Sequence, residues 1–167
     1  ARGKMEDLSD LGDIRWHFIG PLQANKTQLI ASRFHWVHSL DRPRIAERLA
    51  AQRPPEMPPL NVCIQININR QASKSGIVAD ELPGLLAATS HLSGLCLRGL
   101  MCIPDPQLDE AGLRASFAAL RHLLEHSRSA CPTLDTLSMG MSDDLELAIA
   151  EGATLVRVGS AIFGERQ

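Results

Sequence analysis

The sequence predicts an α/β fold built on a parallel sheet, and three observations carry that prediction. Strand and helix signals alternate along the 167 residues. No hairpin turn joins two strand runs, so successive strands need right-handed crossovers. Two late stretches, Thr136-Leu-Ser-Met-Gly-Met-Ser-Asp-Asp144 and Thr154-Leu-Val-Arg-Val-Gly-Ser-Ala-Ile-Phe-Gly164, each read as a short apolar strand ending in small, hydroxyl-bearing and glycine residues before a helix start. Such strand tips offer backbone N–H groups and a helix dipole to an anion. In a (β/α) barrel the loops after the last two strands are the usual phosphate site, so the pattern points to a phosphorylated ligand.

The elements follow in order. Ile14 to Gly20 reads as a strand closed by Gly20-Pro21, and Ala24 to Arg33 as a helix. His35 to Leu40 is a second strand. Asp41 is placed to cap the next helix, with Pro43 in its first turn and Ile45 and Leu49 on one face. The prolines from Pro54 to Pro59 form a rigid connector within one domain, taken as residues 1–167. Leu60 to Ile68 is a third strand, and Asp80 to His91 a helix weakened by Pro83 and Gly84. Leu95 to Ile103 is a fourth strand, closed by Pro104. Ala111 to His126 is an amphipathic helix with Leu113, Phe117, Leu120 and Leu124 on one face. Leu134 to Met139 is a fifth strand. Ser142 is placed to cap the following helix, Asp143 and Asp144 complement its dipole, and Gly152 ends it. Thr154 to Val158 is a sixth strand, and a short last helix starts at Ser160. Two architectures accommodate six βα units: an open doubly wound sheet, or part of a (β/α)8 barrel lacking two units of roughly 30 residues each.

Composition narrows the function. The formal charge of −2 gives no footprint for nucleic acid. No apolar run is long enough to span a membrane, and the sequence lacks a signal-peptide pattern, so a cytoplasmic protein is expected. Cys63, Cys96, Cys102 and Cys131 form no C-x-x-C pair and are expected as reduced, mostly buried thiols, not disulfides or metal ligands. The chain has no tyrosine, so a mechanism that needs a tyrosine acid or base from this chain is excluded.

Five segments in order carry a resemblance. They are Trp16-His-Phe-Ile-Gly-Pro-Leu-Gln-Ala-Asn-Lys26, Ser73-Lys-Ser-Gly76, Arg98-Gly-Leu-Met101, Ser138-Met-Gly-Met-Ser-Asp-Asp144 and Val156-Arg-Val-Gly-Ser-Ala-Ile-Phe-Gly164. From Trp16 onward the chain resembles the pyridoxal-phosphate homeostasis protein (YggS) family. The resemblance implies a (β/α)8 barrel like the N-terminal domain of alanine racemase, with six of its eight units here. It implies pyridoxal 5′-phosphate as cofactor, held through a Schiff base to a lysine on the first barrel strand. That lysine and the following Gly-Glu-Asn strand would precede Ala1, which makes this an N-terminally shortened member; Lys26 and Lys74 belong to other motifs. It further implies cofactor buffering or delivery to apoenzymes without an established turnover.

The cofactor-binding candidates are His17, Ser138, Met139, Gly140, Arg157, Gly159 and Ser160. Ser138, at a strand tip, is either a hydroxyl donor to the phosphate or a serine satisfying local backbone. Met139 either packs on the ring or fills the core, and Gly140 gives backbone access to a ligand. Asp143 and Asp144 would repel a phosphate and should point away. Arg157 sits mid-strand, opposite in face to Val156 and Val158, and needs a partner: a carboxylate, or, as the resemblance implies, the pyridine nitrogen. A guanidinium only donates, so it would hold that nitrogen unprotonated and weaken the electron sink. Gly159 and Ser160 open the last helix and form the best phosphate cradle in the chain. His17 lies on the opposite face from Trp16 and Phe18, either lining the pocket or hydrogen-bonded in the core. Asn25, Lys26 and the Ser73–Gly76 loop sit on the same rim.

Two other functions are open to a barrel of this type. An amino-acid racemase of this barrel type needs a base on each face of its substrate, typically lysine and tyrosine, and the second is missing. A sugar-phosphate barrel enzyme needs a carboxylate or lysine base at a strand tip, which no strand here supplies. An incomplete barrel would leave two open parallel edges, so the isolated chain is expected to aggregate or swap.

Overall fold

A computed structural model describes residues 3, 7, 8 and 10–164. Lys4, the first of the three lysines, lies outside the described residues. The chain forms one sheet of five parallel strands, with helices packed on one face. The strands are β1 (His17–Phe18), β2 (Trp36–Leu40), β3 (Leu60–Gln65), β4 (Leu95–Met101) and β5 (Thr136–Ser138). Between and after them run α1 (Thr27–Arg33), α2 (Pro43–Ala51), α3 (Leu82–Thr89), α4 (Glu110–Ser127), α5 (Leu145–Ala150) and α6 (Ser160–Phe163). Single 3-10 turns at Ala24–Lys26 and Ala79–Glu81 lead into α1 and α3.

Strand order decides between the two architectures. Each strand lies beside the next in chain order, β1-β2-β3-β4-β5. A doubly wound sheet reverses direction at a switch point, whereas a barrel does not. The sheet is therefore an arc of a (β/α) barrel. Alternation sends Val37, Val62, Ile64, Leu97 and Leu137 outward, where they join Ile45, Leu49, Leu85, Leu86, Phe117 and Leu120 in the core under the helices. Trp36, His38, Cys63, Gln65 and Ser138 fall on the opposite, barrel-interior face.

Local chemistry explains most boundaries. Asp109 caps α4 by accepting a hydrogen bond from the Gly112 N–H at 2.9 Å. Phe117, Leu120 and Leu124 are buried beneath that helix, with Leu113 partly buried beside them. Pro43 and Pro83 each stand in a first turn, where the missing N–H costs no bond, so Pro83 starts α3 without breaking it. Gly152, at φ +94°, follows the end of α5.

Three expectations are corrected. The sixth strand is reduced to one bridge, Leu155 to Ser138. Asp41 does not cap α2; its carboxylate takes the Arg42 Nε–H at 2.9 Å, and Arg42 is the cap position. Ser142 does not cap α5, whose cap position is Asp144. The Ser142 hydroxyl instead accepts from the backbone N–H groups of Gly159 and Ala161, at 3.4 and 3.3 Å.

Candidate functional site

The site lies where β1, β4 and β5 end and the chain runs on through Leu155 to α6. Gly140 terminates β5. Its φ of +92° is open to glycine, and a Cβ there would stand 2.7 Å from the Ala148 Cβ, so the residue serves a close approach of the chain to itself. The Met141 N–H donates to Asp144 Oδ1 at 2.6 Å, which pins the following turn. The Gly140 carbonyl then receives the Arg157 N–H at 2.9 Å, fixing the backbone that carries Arg157.

An open cleft of about 670 Å³ lies against this backbone, lined by His17, Ile19, Ile103, Met141, Arg157 and Gly159. A smaller hollow of about 350 Å³ shares Ile19 and Ile103 and extends to the Ser73–Gly76 loop. Lys74 is tied down on that rim, donating from Nζ to the carbonyls of Pro104 at 2.6 Å and Ile103 at 3.2 Å. Asn25 and Lys26 are exposed on the 3-10 turn before α1.

A chain of four side chains runs inward from the cleft. His17 Nδ1 lies 2.8 Å from His38 Nε2. His38 Nδ1 lies 2.8 Å from Ser138 Oγ. Arg157 Nη1 donates to the same Ser138 oxygen at 2.8 Å, and Nη2 donates to the Cys102 carbonyl at 2.9 Å. Aromatic stacking holds the histidines in register: His17 lies 5.4 Å from the Trp36 ring with planes 5° apart, and Arg98 covers Trp36 at 5.1 Å. Arg98 is itself held by Asp135, whose Oδ2 accepts at 2.6 Å.

Burial sets the electrostatics. It drives the His38 pKa down to about 3, with His17 and Arg157 adding to the effect. It lowers His17 too, aided by His35. Both imidazoles are neutral at pH 7, and each has one N–H and one lone pair to place. Burial also presses on the Arg157 guanidinium. Among the described residues no carboxylate pairs with Arg157, and only two of its five N–H donors are taken.

The candidates thus separate into two layers. His17, Arg157 and Gly159 line the cleft, and Ser160 follows as an exposed residue. A Cβ on Gly159 would meet nothing within 4 Å, so that backbone faces open space. Met139 is fully buried in the core, Gly140 is buried, and Ser138 is fully buried behind Arg157. His38 is the residue the sequence reading left out. Its signal was present: alternation in Trp36-Val-His38 puts it on the face opposite Val37. Its link to Ser138, 100 residues away, has no local trace.

Known proteins place the chain. The sequence profile of the alanine racemase N-terminal domain matches residues 7–167. The pyridoxal phosphate homeostasis protein of Pseudomonas aeruginosa is 56% identical over 166 residues, 99% of this chain and 70% of that protein. Its counterpart in Escherichia coli is 50% identical over 172 residues, again covering 70% of its length. The structure of PipY from Synechococcus elongatus with pyridoxal phosphate bound is similar at 37% identity and a TM-score of 0.89, over 98% of this chain and 77% of that one. Alanine racemase of Corynebacterium glutamicum, at 16% identity and a TM-score of 0.71, shares the fold.

Proposed function

This chain belongs to the pyridoxal phosphate homeostasis protein family, and from that premise we propose that it holds pyridoxal 5′-phosphate in the Arg157 cleft, buffering or delivering the cofactor to apoenzymes in the cytoplasm. The observation that carries this reading is Arg157, a part-buried cation on a cleft with no carboxylate partner among the described residues and three N–H donors to spare. Such a group is costly to keep unless a ligand completes it.

The residues fit the cofactor. Ser160 offers its backbone N–H and hydroxyl to the phosphate beside the open space at Gly159, whose own N–H is held by Ser142, and His17 flanks the cleft. Ser138 becomes available when Arg157 turns from it. Met139 and Gly140 support the floor from beneath. When bound, the cofactor supplies an aldehyde that captures amines and a ring that draws electrons. Arg157 can only donate a proton bond to the ring nitrogen, which keeps that nitrogen unprotonated and the electron sink weak. That suits a carrier. A racemase-type role needs a second base facing the first, and the chain has no tyrosine to act as one; we adopt the non-catalytic role.

The test is equilibrium binding of pyridoxal phosphate, followed by absorbance and by thermal shift, on the wild-type chain and Arg157→Ala. Stabilisation that grows with ligand concentration is expected for the wild type, with affinity at least about tenfold weaker in the variant. Equal binding by both proteins, or none by either, would overturn the reading.

A further inference from the structure

A second polar hollow, of about 170 Å³, is lined by Arg15, His35, Trp36, Arg53, Asn61 and Arg98 and shares no lining residue with the Arg157 cleft. His35 and Trp36 stand at the start of β2 and Asn61 near the start of β3, so this hollow faces the strand starts, whereas the cleft faces strand ends. Arg53 is its buried member, only 8% exposed. The Arg53 Nε–H donates to the Pro58 carbonyl at 2.8 Å, and Nη1 donates to the carbonyls of Ala31 at 2.6 Å and Phe34 at 2.8 Å. These bonds close the C-terminal end of α1, where a cation is favoured. They leave the Nη2 group without a partner, and no carboxylate meets this guanidinium, among the described residues. Arg15, exposed just ahead of β1, brings a second charge with no ion pair among the described residues. Arg98 differs, because Asp135 neutralises it at 2.6 Å while it covers the Trp36 ring. His35 Nδ1 accepts the Trp16 N–H at 2.9 Å, so the ring proton sits on Nε2 as a further donor. Burial, with Arg15 and Arg53 nearby, holds the His35 pKa below its usual value, and the ring is neutral at pH 7.

We propose that this hollow binds a small tetrahedral oxyanion of the phosphate or sulfate class, held between Arg53 and Arg15 with His35 as a third donor. Arg53 is buried without a counter-charge, which is costly until an anion supplies one. The chain carries a formal charge of −2, so it has no general pull on anions and the attraction is local to these side chains. The donors come from three separate segments: Arg15 before β1, His35 before β2 and Arg53 after α2. A tetrahedral anion has an oxygen for each, whereas a flat carboxylate has two. Pockets for cofactor-sized ligands run to roughly 300 Å³ or more, so this smaller hollow admits a lone anion and refuses pyridoxal phosphate. The bonds formed are charge-assisted. They tie the three segments together at the strand starts, and a filled site stabilises the folded chain by mass action.

The test is NMR of the full chain at pH 7, titrated separately with inorganic phosphate, sulfate and acetate at constant ionic strength. The His35 ring and Trp36 indole signals report the hollow, and the Ser160 amide reports the cleft. Saturable shifts at His35 and Trp36 are expected with phosphate and sulfate, and about tenfold weaker binding with acetate. Arg53→Lys keeps the charge but loses the Nη2 donors, and is expected to weaken phosphate binding at the hollow about tenfold. Arg15→Gln, at an exposed position, should fold as the wild type does and weaken that binding about fivefold. Its Ser160 response and its affinity for pyridoxal phosphate should match the wild type. Should Arg53→Lys fail to fold, Arg15→Gln carries the test. No saturable shift at His35 and Trp36, an equal response to acetate, or unchanged phosphate binding in Arg15→Gln would each overturn the site. None of these outcomes touches the cofactor reading, which is decided by Arg157→Ala.

Discussion

Arg157 and Ser138 meet through a single 2.8 Å hydrogen bond that ties the last strand-like segment to the tip of β5. The same guanidinium reaches the Cys102 carbonyl at 2.9 Å, so its planar fork spans two partners at once. Lysine cannot reproduce that geometry from one ammonium point. Arg157→Lys is therefore expected to weaken pyridoxal phosphate binding about tenfold while keeping the charge. Calorimetry checks this. Unchanged affinity would mean that charge alone, without the fork, attracts the ligand.

The buried histidines make stability depend on pH. His38 titrates near 6.5 when unfolded and at about 3 when folded. Between those values the unfolded chain binds a proton that the native chain refuses, so stability rises with pH. The contribution is complete above about pH 6.5 and declines as pH falls toward 3, by up to about 1.4 kcal/mol per pH unit. His17 and His35 are shifted in the same direction and steepen the fall. Urea midpoints at pH 7.5, 6 and 5 measure the slope, and a level profile across that range would contradict the burial argument.

Gly99 tests the packing of the sheet. It pairs with Thr136 across β4 and β5, and a Cβ there would lie 1.7 Å from the Thr136 carbonyl oxygen. Backbone, not a flexible side chain, would have to move. Gly99→Ala is expected to lose about 3 kcal/mol or to fail to fold. Gly159→Ala, which meets open space, should stay within about 0.5 kcal/mol of wild type. Chemical denaturation of both variants makes the comparison, and similar losses would show that the clash at Gly99 is relieved at little cost.

What the sequence disclosed follows from the range of the interactions involved. β3 and β4 were readable because a strand buried on both faces gives a nearly continuous apolar run, and Pro43 marks the start of α2 locally. Thr154–Val158 alternates as a strand should, yet only Leu155 bridges. Gly140, at φ +92°, takes its would-be partner out of extended conformation just past Met139. Ser142 looked like a helix cap because caps are read within one turn. Its hydroxyl is taken by N–H groups 17 and 19 residues later. His38 escaped for the same reason on a longer scale. The family motifs located Arg157 and Gly159 on the cleft, but that Ser138 lies behind Arg157 and is shared with His38 is a property of tertiary contact alone.

The two edges of the arc bear on how this chain behaves in solution. At one edge β1 is only two residues long, and at the other a single bridge at Leu155 closes the sheet. Short edges offer few unpaired backbone groups, which limits strand-to-strand pairing. The apolar surface is a stronger cause of association: Ile162 is 67% and Phe163 80% exposed on α6, and Ile149 is 54% exposed on α5. Apolar exposure of this size drives self-association. The chain is expected to associate with rising concentration in light scattering. Phe163→Ser, at an exposed position, should shift that association to higher concentration without lowering the thermal midpoint. A monomer at every concentration, with a cooperative melt, would show that these side chains are covered in solution by the chain itself.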